Sequence, residues 1–324
     1  MQRRHFIQAA ASAAALGAPS LFAQSWPSGP IRLVVGFPAG GGADAIARLV
    51  AQKLGGLWNQ QVLVENKAGA SSTLAAEYVA QQPADGTTLF LSTINSHALA
   101  PAVQPRLRYH AERDFAPIAL LGVTPNLLIT SATSPTKSVK ELVALCKAQP
   151  GKVSFGSAGP GTIQHFAIEK FKLLAGVDAL HVPYKGSAPL LTDLIGGQIQ
   201  FTFETMTAAT PHVKNGRVVA LAQTRAKRSK AYPGVPTMQE QGYAEFETMN
   251  WYGVSGPAKL PAAWVRKINQ DVNTVLAMAD VQDKFDTFGV EDGGGSVERY
   301  AQFTQSELSK WARVARDAKV SIDS

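Results

Sequence analysis

The chain has 324 residues, 45% of them hydrophobic and 17% charged, with 28 glycines and 19 prolines; this balance excludes collagen-like, low-complexity and disordered classes. A chain this long buries a large core and favours two lobes with a cleft between them, because single cores stop growing near roughly 250 to 300 residues. The lone Cys146 excludes a disulfide framework or a multi-cysteine metal cage, and the net charge of +7 steers anions and makes acidic small ligands plausible.

In chain order, residues 1–23 have the form of an export signal: Arg3 and Arg4, a small apolar run over 9–22, and Leu21-Phe22-Ala23 before the expected cut. Arg3-Arg4-His5-Phe6 also resembles the twin-arginine motif, with an ordinary secretion signal as the alternative. No run of eighteen apolar residues follows, so the mature chain is expected to be soluble and outside the cytoplasm.

Strands are predicted over 31–36, 61–65 and 88–92, with helices over 43–57 and 73–81 between them. The first helix places Ile46, Leu49, Val50, Leu54 and Leu57 on one face and Arg48 and Gln52 on the other. This alternation predicts parallel α/β layers. From 118 to 130, two strand-like runs broken at Thr124-Pro125 mark a crossing into a second lobe. Ser138-Val139-Lys140-Glu141 reads as a capping box opening a helix that buries Cys146 as a small apolar residue. Strands over 153–155, 180–182, 199–204 and 218–223 follow, with helices over 162–174, 188–195 and 206–215 and a helix-ending Gly216. The basic stretch 225–236 marks the return, to a strand over 247–254 and helices over 262–278 and 296–320. The last helix carries Tyr300, Phe303, Leu308, Trp311, Val314 and Ala318 along one core-packing stripe. Lobe 1 is thus expected to comprise 24–121 and 232–324, and lobe 2 to comprise 122–231.

Two strand-to-helix turns carry the chemistry. In Phe37-Pro38-Ala39-Gly40-Gly41-Gly42-Ala43-Asp44 three glycines let the backbone approach a ligand, and the helix that follows offers free amides and a positive dipole end to an anion. Gly40-x-Gly42-x-x-Ala45 also matches a dinucleotide fingerprint, with Glu65 placed as its ribose acid, so a dinucleotide-dependent oxidoreductase remains the alternative reading. Export from the cytoplasm weighs against it. The second turn, Gly156-Ser157-Ala158-Gly159-Pro160-Gly161-Thr162, precedes a helix bearing His165 and lacks the lysine of a phosphate-binding loop. No G-x-S-x-G elbow occurs, the histidines are scattered, and Arg225–Lys230 has no interleaved aromatics. Catalytic residues, a resident metal or cofactor, and a nucleic-acid partner are therefore not expected.

Taken in order, Phe37–Arg48, Glu65–Leu74, Asp85-Gly86-Thr87-Thr88-Leu89, Ser96-His97-Ala98, Gly156–His165, His181-Val182-Pro183-Tyr184-Lys185-Gly186 and Val235-Pro236-Thr237 resemble the Bug or TctC-type proteins over essentially the whole mature chain. These are the periplasmic solute-binding components of tripartite tricarboxylate transporters. The resemblance implies a two-lobed α/β fold of the type II, Venus-flytrap class, each lobe a mostly parallel sheet flanked by helices. It implies a monomeric receptor that holds a small organic carboxylate and hands it to integral-membrane transporter subunits. Carried onto this chain, it assigns Phe37, Ala39, Gly40, Gly41 and Asp44 to one jaw and Ser157, Ala158, Gly161, Thr162 and His165 to the other, with Ser96 and His97 lining the cleft. Two departures stand out. Ala70-Ser71-Ser72-Thr73 replaces a more glycine-rich, asparagine-containing segment, and Phe203-Glu204-Thr205 replaces Phe-Asp-Asn. Glu204 ends a strand near the cleft and reads as a partner for a ligand amine, a barrier to a second carboxylate, or an exposed strand-end acid.

Overall fold

Strand β1 (Ile31–Val35) is apolar on both faces because helices cover both, the pattern of a central parallel strand. The computed structural model describes residue 26 and residues 29–317, so the expected export signal lies outside the described residues. β1 pairs in parallel with β2 (Val62–Asn66) and β3 (Thr88–Thr93) through the crossover helices α1 (Gly42–Trp58) and α2 (Thr73–Ala80). The apolar face of α1 is narrower than predicted: Ile46, Val50 and Leu54 are buried, whereas Leu57 is 44% exposed and Trp58 takes its place. The Trp58 indole reaches Asp271 at 2.7 Å. After β3 a π-helical turn, Asn95–Leu99, runs into α3 (Ala100–Val103).

The expected break at Thr124-Pro125 is not a break. β4 is one strand of 17 residues, Phe115–Ser131. Up to Pro125 it pairs antiparallel with β9 (Met249–Pro257); from Asn126 onward it is flanked by β7 (Phe201–Thr205) and β8 (Val218–Gln223). Proline is tolerated here because its missing N–H falls at the seam where one set of neighbours replaces another. Asn126 secures the seam, its backbone N–H donating to Thr224 Oγ1 at 2.9 Å and its side-chain amide to the Phe203 carbonyl at 2.7 Å.

Beyond the seam, α4 (Val139–Ala148), β5 (Ser154–Ser157), α5 (Ile163–Ala175), β6 (Leu180–Pro183), α6 (Ser187–Ile195) and α7 (Met206–Lys214) complete the second lobe. Ser138 caps α4 as predicted, accepting from Glu141 N–H at 3.2 Å, but the Glu141 carboxylate reaches one residue further back, to Lys137 N–H at 2.6 Å. Cys146 is fully buried, and burial pushes its thiol up to about 11.

Residues 232–246, expected to return to the first lobe, pack in the second. Met238 and Phe246 join the core around Phe155 and Phe203, and Tyr232 joins that of Leu127 and Ile129. Gln223 holds them there, its side-chain amide donating to Val235 O at 2.7 Å and its backbone exchanging bonds with Pro236 and Met238. The return is made by β9. α8 (Ala262–Leu276), an unpredicted α9 (Ala279–Phe288) and α10 (Val297–Asp317) then close the first lobe. On α10, Tyr300 and Trp311 are buried as predicted, but Val314 is exposed and Thr304 and Ala315 complete the stripe.

Among the described residues nine strands run in the order β2-β1-β3-β9-β4-β7-β5-β6, with β8 beside β4. The sheet is mixed rather than mostly parallel: β9 runs antiparallel to both β3 and β4, and β4 antiparallel to β7. Two apolar cores lie on either side of the seam, one around Leu33, Ile46 and Val254, the other around Phe155, Phe171 and Phe203. No described helix is long and apolar enough to cross a membrane.

Candidate functional site

The first glycine-rich loop is organised by one buried carboxylate. Asp44, in the first turn of α1, accepts from Gly40 N–H at 3.0 Å, Arg48 Nε at 2.8 Å and Asn66 Nδ2 at 2.9 Å. Asn66 also donates to the Phe37 carbonyl at 2.9 Å, tying the loop to the end of β2. Burial would raise the Asp44 carboxyl, but the bonds from Arg48, Gly40 and Asn66 outweigh it and hold it below the usual carboxylate range. Gly40 takes φ +83° to make this turn. Gly41 then caps α1 without a side chain, so the first amides of the helix, at Gly42 and Ala43, keep their hydrogen-bonding capacity.

These amides open onto a narrow chamber between the lobes. The first lobe contributes Phe37, Gly41, Gly42, Ala43, Thr93 and Asn95 to its wall, the second Ala158, Gln164, Ser187 and Thr205, and β9 supplies Asn250 and Tyr252. The lobes meet around it. Asn95 Oδ1 accepts from Ile163 N–H at 3.0 Å, and Ser71 Oγ donates to Pro160 O at 2.6 Å. Among the described residues, Thr93 Oγ1 and Gln164 Oε1 in this wall are buried acceptors without a hydrogen-bond partner, so the chamber is polar rather than sealed by apolar packing.

Of the residues expected at the cleft, Phe37, Gly41 and Ala158 line the chamber. Ala39 and Gly40 are exposed at its rim, and Asp44 lies behind the loop it shapes. In the second loop the side chains act on the loop itself. Thr162 caps α5, donating to Gly159 O at 2.7 Å and accepting from His165 N–H at 3.5 Å. Gly161 N–H, expected to hold ligand, donates to His165 Nδ1 at 3.2 Å. Ser157 Oγ shares a 2.7 Å hydrogen bond with His181 Nε2 and accepts from Gly159 N–H. His165 is therefore a brace rather than a chamber-lining donor, its ring stacked on His181 with centroids 4.1 Å apart.

Ser96 and His97 do not line the chamber. The π-helical turn rotates them into a separate apolar cluster of the first lobe, where the His97 ring centroid lies 4.7 Å from that of Phe115 and 5.7 Å from that of Phe90, and the turn presents Asn95 to the chamber instead. Glu204 is fully buried, which overturns the exposed strand-end reading. Glu65, the acid required by the dinucleotide reading, is ion-paired with Lys67 at 2.8 Å and Arg32 at 3.6 Å on the outer strand. Sequence reasoning missed Thr93, Asn95, Gln164, Ser187, Thr205, Asn250 and Tyr252. Four of these carry a legible signal, a polar residue ending a strand or opening a helix: Thr93, Gln164, Ser187 and Thr205.

Burial pushes His97 down to about 3; burial, with smaller contributions from the charges of His165 and Lys172, pushes His181 down to about 4. Both are neutral in the folded protein, while the unfolded chain protonates them near pH 6.5. The unfolded state thus binds more protons below that value, and stability falls as the pH drops from about 6.5 through 4 to 3. Thermal melts at stepped pH check this, and a melting temperature unchanged between about pH 7 and 4 would contradict it.

Two lobes on a shared strand pair, shut over a polar chamber, define a hinged receptor that encloses a small solute. The chain belongs to the TctC family, described as the tripartite tricarboxylate transporter family receptor, which matches residues 46–320. It is 33% identical over 305 residues to BugT of Bordetella pertussis, covering 94% of this chain and 93% of that protein. An R. palustris protein solved with adipate superposes with a TM-score of 0.88 at 34% identity, covering 91% of this chain and 99% of that one. MatC from Rhodopseudomonas palustris, solved with bound malate, superposes with a TM-score of 0.83 at 30% identity, covering 89% and 99%. Among the described residues no group of three or more His, Cys, Asp and Glu side chains is arranged to hold a metal ion.

Proposed function

We propose that this chain is an extracytoplasmic receptor that encloses a small organic carboxylate between its lobes and delivers it to the membrane subunits of a tripartite transporter, without catalysing a reaction. The observation that carries this reading is the uncapped start of α1 inside the chamber, where the Gly42 and Ala43 amides and the helix dipole favour a carboxylate oxygen. The adipate and malate of the two similar structures are carboxylates, which supports the same class of ligand. In this reading Phe37, Gly41 and Ala158 contact the ligand. Asp44, Ser157, Gly161, Thr162 and His165 hold the two loops in shape. The receptor is monomeric and works in the periplasm after cleavage near Ala23.

Because both lobes contribute wall, ligand should bias the protein toward its closed form. Purified protein is titrated calorimetrically with mono- and dicarboxylates and followed by small-angle scattering. The expected result is saturable binding with compaction, and a gain of about 2.7 kcal/mol in stability at 100 times the dissociation constant. Stabilisation by NAD or NADP but by no carboxylate would replace this reading with the dinucleotide one.

A further inference from the structure

The first amide of α5 is capped from the opposite lobe. A helix leaves its first N–H groups without partners of its own. Thr162 serves one of them from within the second lobe, accepting from His165 N–H at 3.5 Å. Ile163 N–H instead donates to Asn95 Oδ1 of the first lobe, 3.0 Å away and 68 residues earlier in the chain. Asn95 is buried, so bulk water does not compete for the bond. Beside it the side chains of Ile163 and Phe166 enter an apolar cluster of the first lobe with Ile94, Ala98, Leu99 and Trp311, the Phe166 and Trp311 ring centroids lying 5.4 Å apart.

The turn that carries Asn95 is braced from behind. π-helical turns are rare and concentrate at functional positions. Here Ser96 Oγ accepts from Thr93 N–H at 3.2 Å, Tyr109 Oη donates to the Ser96 carbonyl at 2.6 Å, and the His97 ring packs against Phe115 and Phe90. Ser96 and His97, which do not line the chamber, thus hold Asn95 where α5 meets it.

We propose that Asn95 is a positioning residue for closure: a cap that α5 acquires only when the lobes meet, and that holds them shut by satisfying Ile163 N–H. This rests on the receptor reading above, because a cap between lobes acts only if they part, and it adds a residue rather than a ligand to that reading. Parting the lobes separates Asn95 from Ile163 and leaves the bonds inside the second lobe intact, among them Phe166 N–H to Thr162 O at 3.1 Å. The Ile163 amide therefore reports opening, and the Phe166 amide reports unfolding.

Amide hydrogen exchange resolved by residue, on the whole ligand-free protein, reads the two separately. Asn95→Ala should exchange the Ile163 amide roughly 10-fold faster, the change expected for one buried hydrogen bond, with Phe166 unaltered. Asn95→Asp keeps an acceptor oxygen at the same reach and should restore slow exchange. Gly42→Val, whose added Cβ would sit 2.9 Å from Thr205 Oγ1 of the second lobe and so obstructs closure, should accelerate Ile163 in the same selective way although Asn95 is untouched. With malate and adipate as probes, Asn95→Ala should release ligand roughly 10-fold faster with little change in association rate, because capture uses the open form. Ile163 exchange unchanged in N95A and in G42V would overturn the inference. So would Ile163 and Phe166 accelerating together, which would assign Asn95 to fold stability alone. If no carboxylate binds, the receptor reading fails, and the ligand-free exchange still decides for or against Asn95 as the cap that joins the lobes.

Discussion

Replacing Gly42 with valine should weaken ligand binding roughly 10- to 100-fold, more than any substitution in the surrounding loops, while each lobe stays folded. A Cβ at this position would sit 2.9 Å from Thr205 Oγ1, 3.1 Å from Thr207 Cβ and 3.1 Å from Tyr252 Oη. Two of these partners belong to the second lobe and the third to β9, so relief comes by holding the lobes apart rather than by turning one side chain. Overpacking of this kind costs about 1–3 kcal/mol, here charged to closure rather than to folding. Gly56 is the control. It lies on the exposed face of the same helix with nothing within 4 Å of where its Cβ would sit, so Gly56→Ala should bind as well as the unaltered protein. Calorimetry with scattering reads both effects, and a Gly42→Val protein that binds and compacts normally would mean that the ligand is held elsewhere.

Asp44→Ala should cost about 3 kcal/mol of stability and loosen the first jaw. The carboxylate gathers Gly40 N–H, Arg48 and Asn66, and each bond to a charged acceptor contributes about 1.5–3 kcal/mol, reduced for Arg48 because that side chain is largely in solvent. The alanine variant leaves the Gly40 amide and one Asn66 donor without this partner. The folded protein holds Asp44 below its reference value of 3.8, so its contribution is complete above that pH and is lost as the pH falls through the lower folded value. Urea titrations at neutral pH and near pH 3 separate the terms: the variant should be weaker at neutral pH, and the gap should narrow in acid. A gap that widened in acid would mean that Asp44 does not hold the loop as a carboxylate.

What was legible from sequence was local chemistry. The glycine run after β1, the cap at Ser138 and the amphipathic face of α1 each depend on residues within a few positions of one another, and each is found where the pattern put it, save that Trp58 rather than Leu57 ends the buried face of α1. What was not legible depends on neighbours far along the chain. Pro125 reads as a strand breaker until β7 and β8 are seen to replace β9 beside it. α9 buries only Val281 and Phe285, too few apolar positions to signal a helix. The second glycine-rich turn was recognised, but the direction of its bonds was not: Gly161 and Thr162 satisfy His165 and Gly159 within the loop. Asn250 and Tyr252 reach the chamber because β9 threads between the lobes, which no periodicity in that segment announces.

That threading has a mechanical consequence. Both passages of the chain between the lobes are strands of one ladder, paired from Phe115 opposite Pro257 to Pro125 opposite Met249. Two separate loops would let one jaw swing, roll and slide. A hydrogen-bonded ribbon behaves as a leaf spring, compliant across its face and stiff within its plane, so the jaws are guided along one arc and meet in one alignment. Such a spring also pushes back: any bending that closure imposes on β4 and β9 favours reopening, so the ribbon that guides capture also assists release.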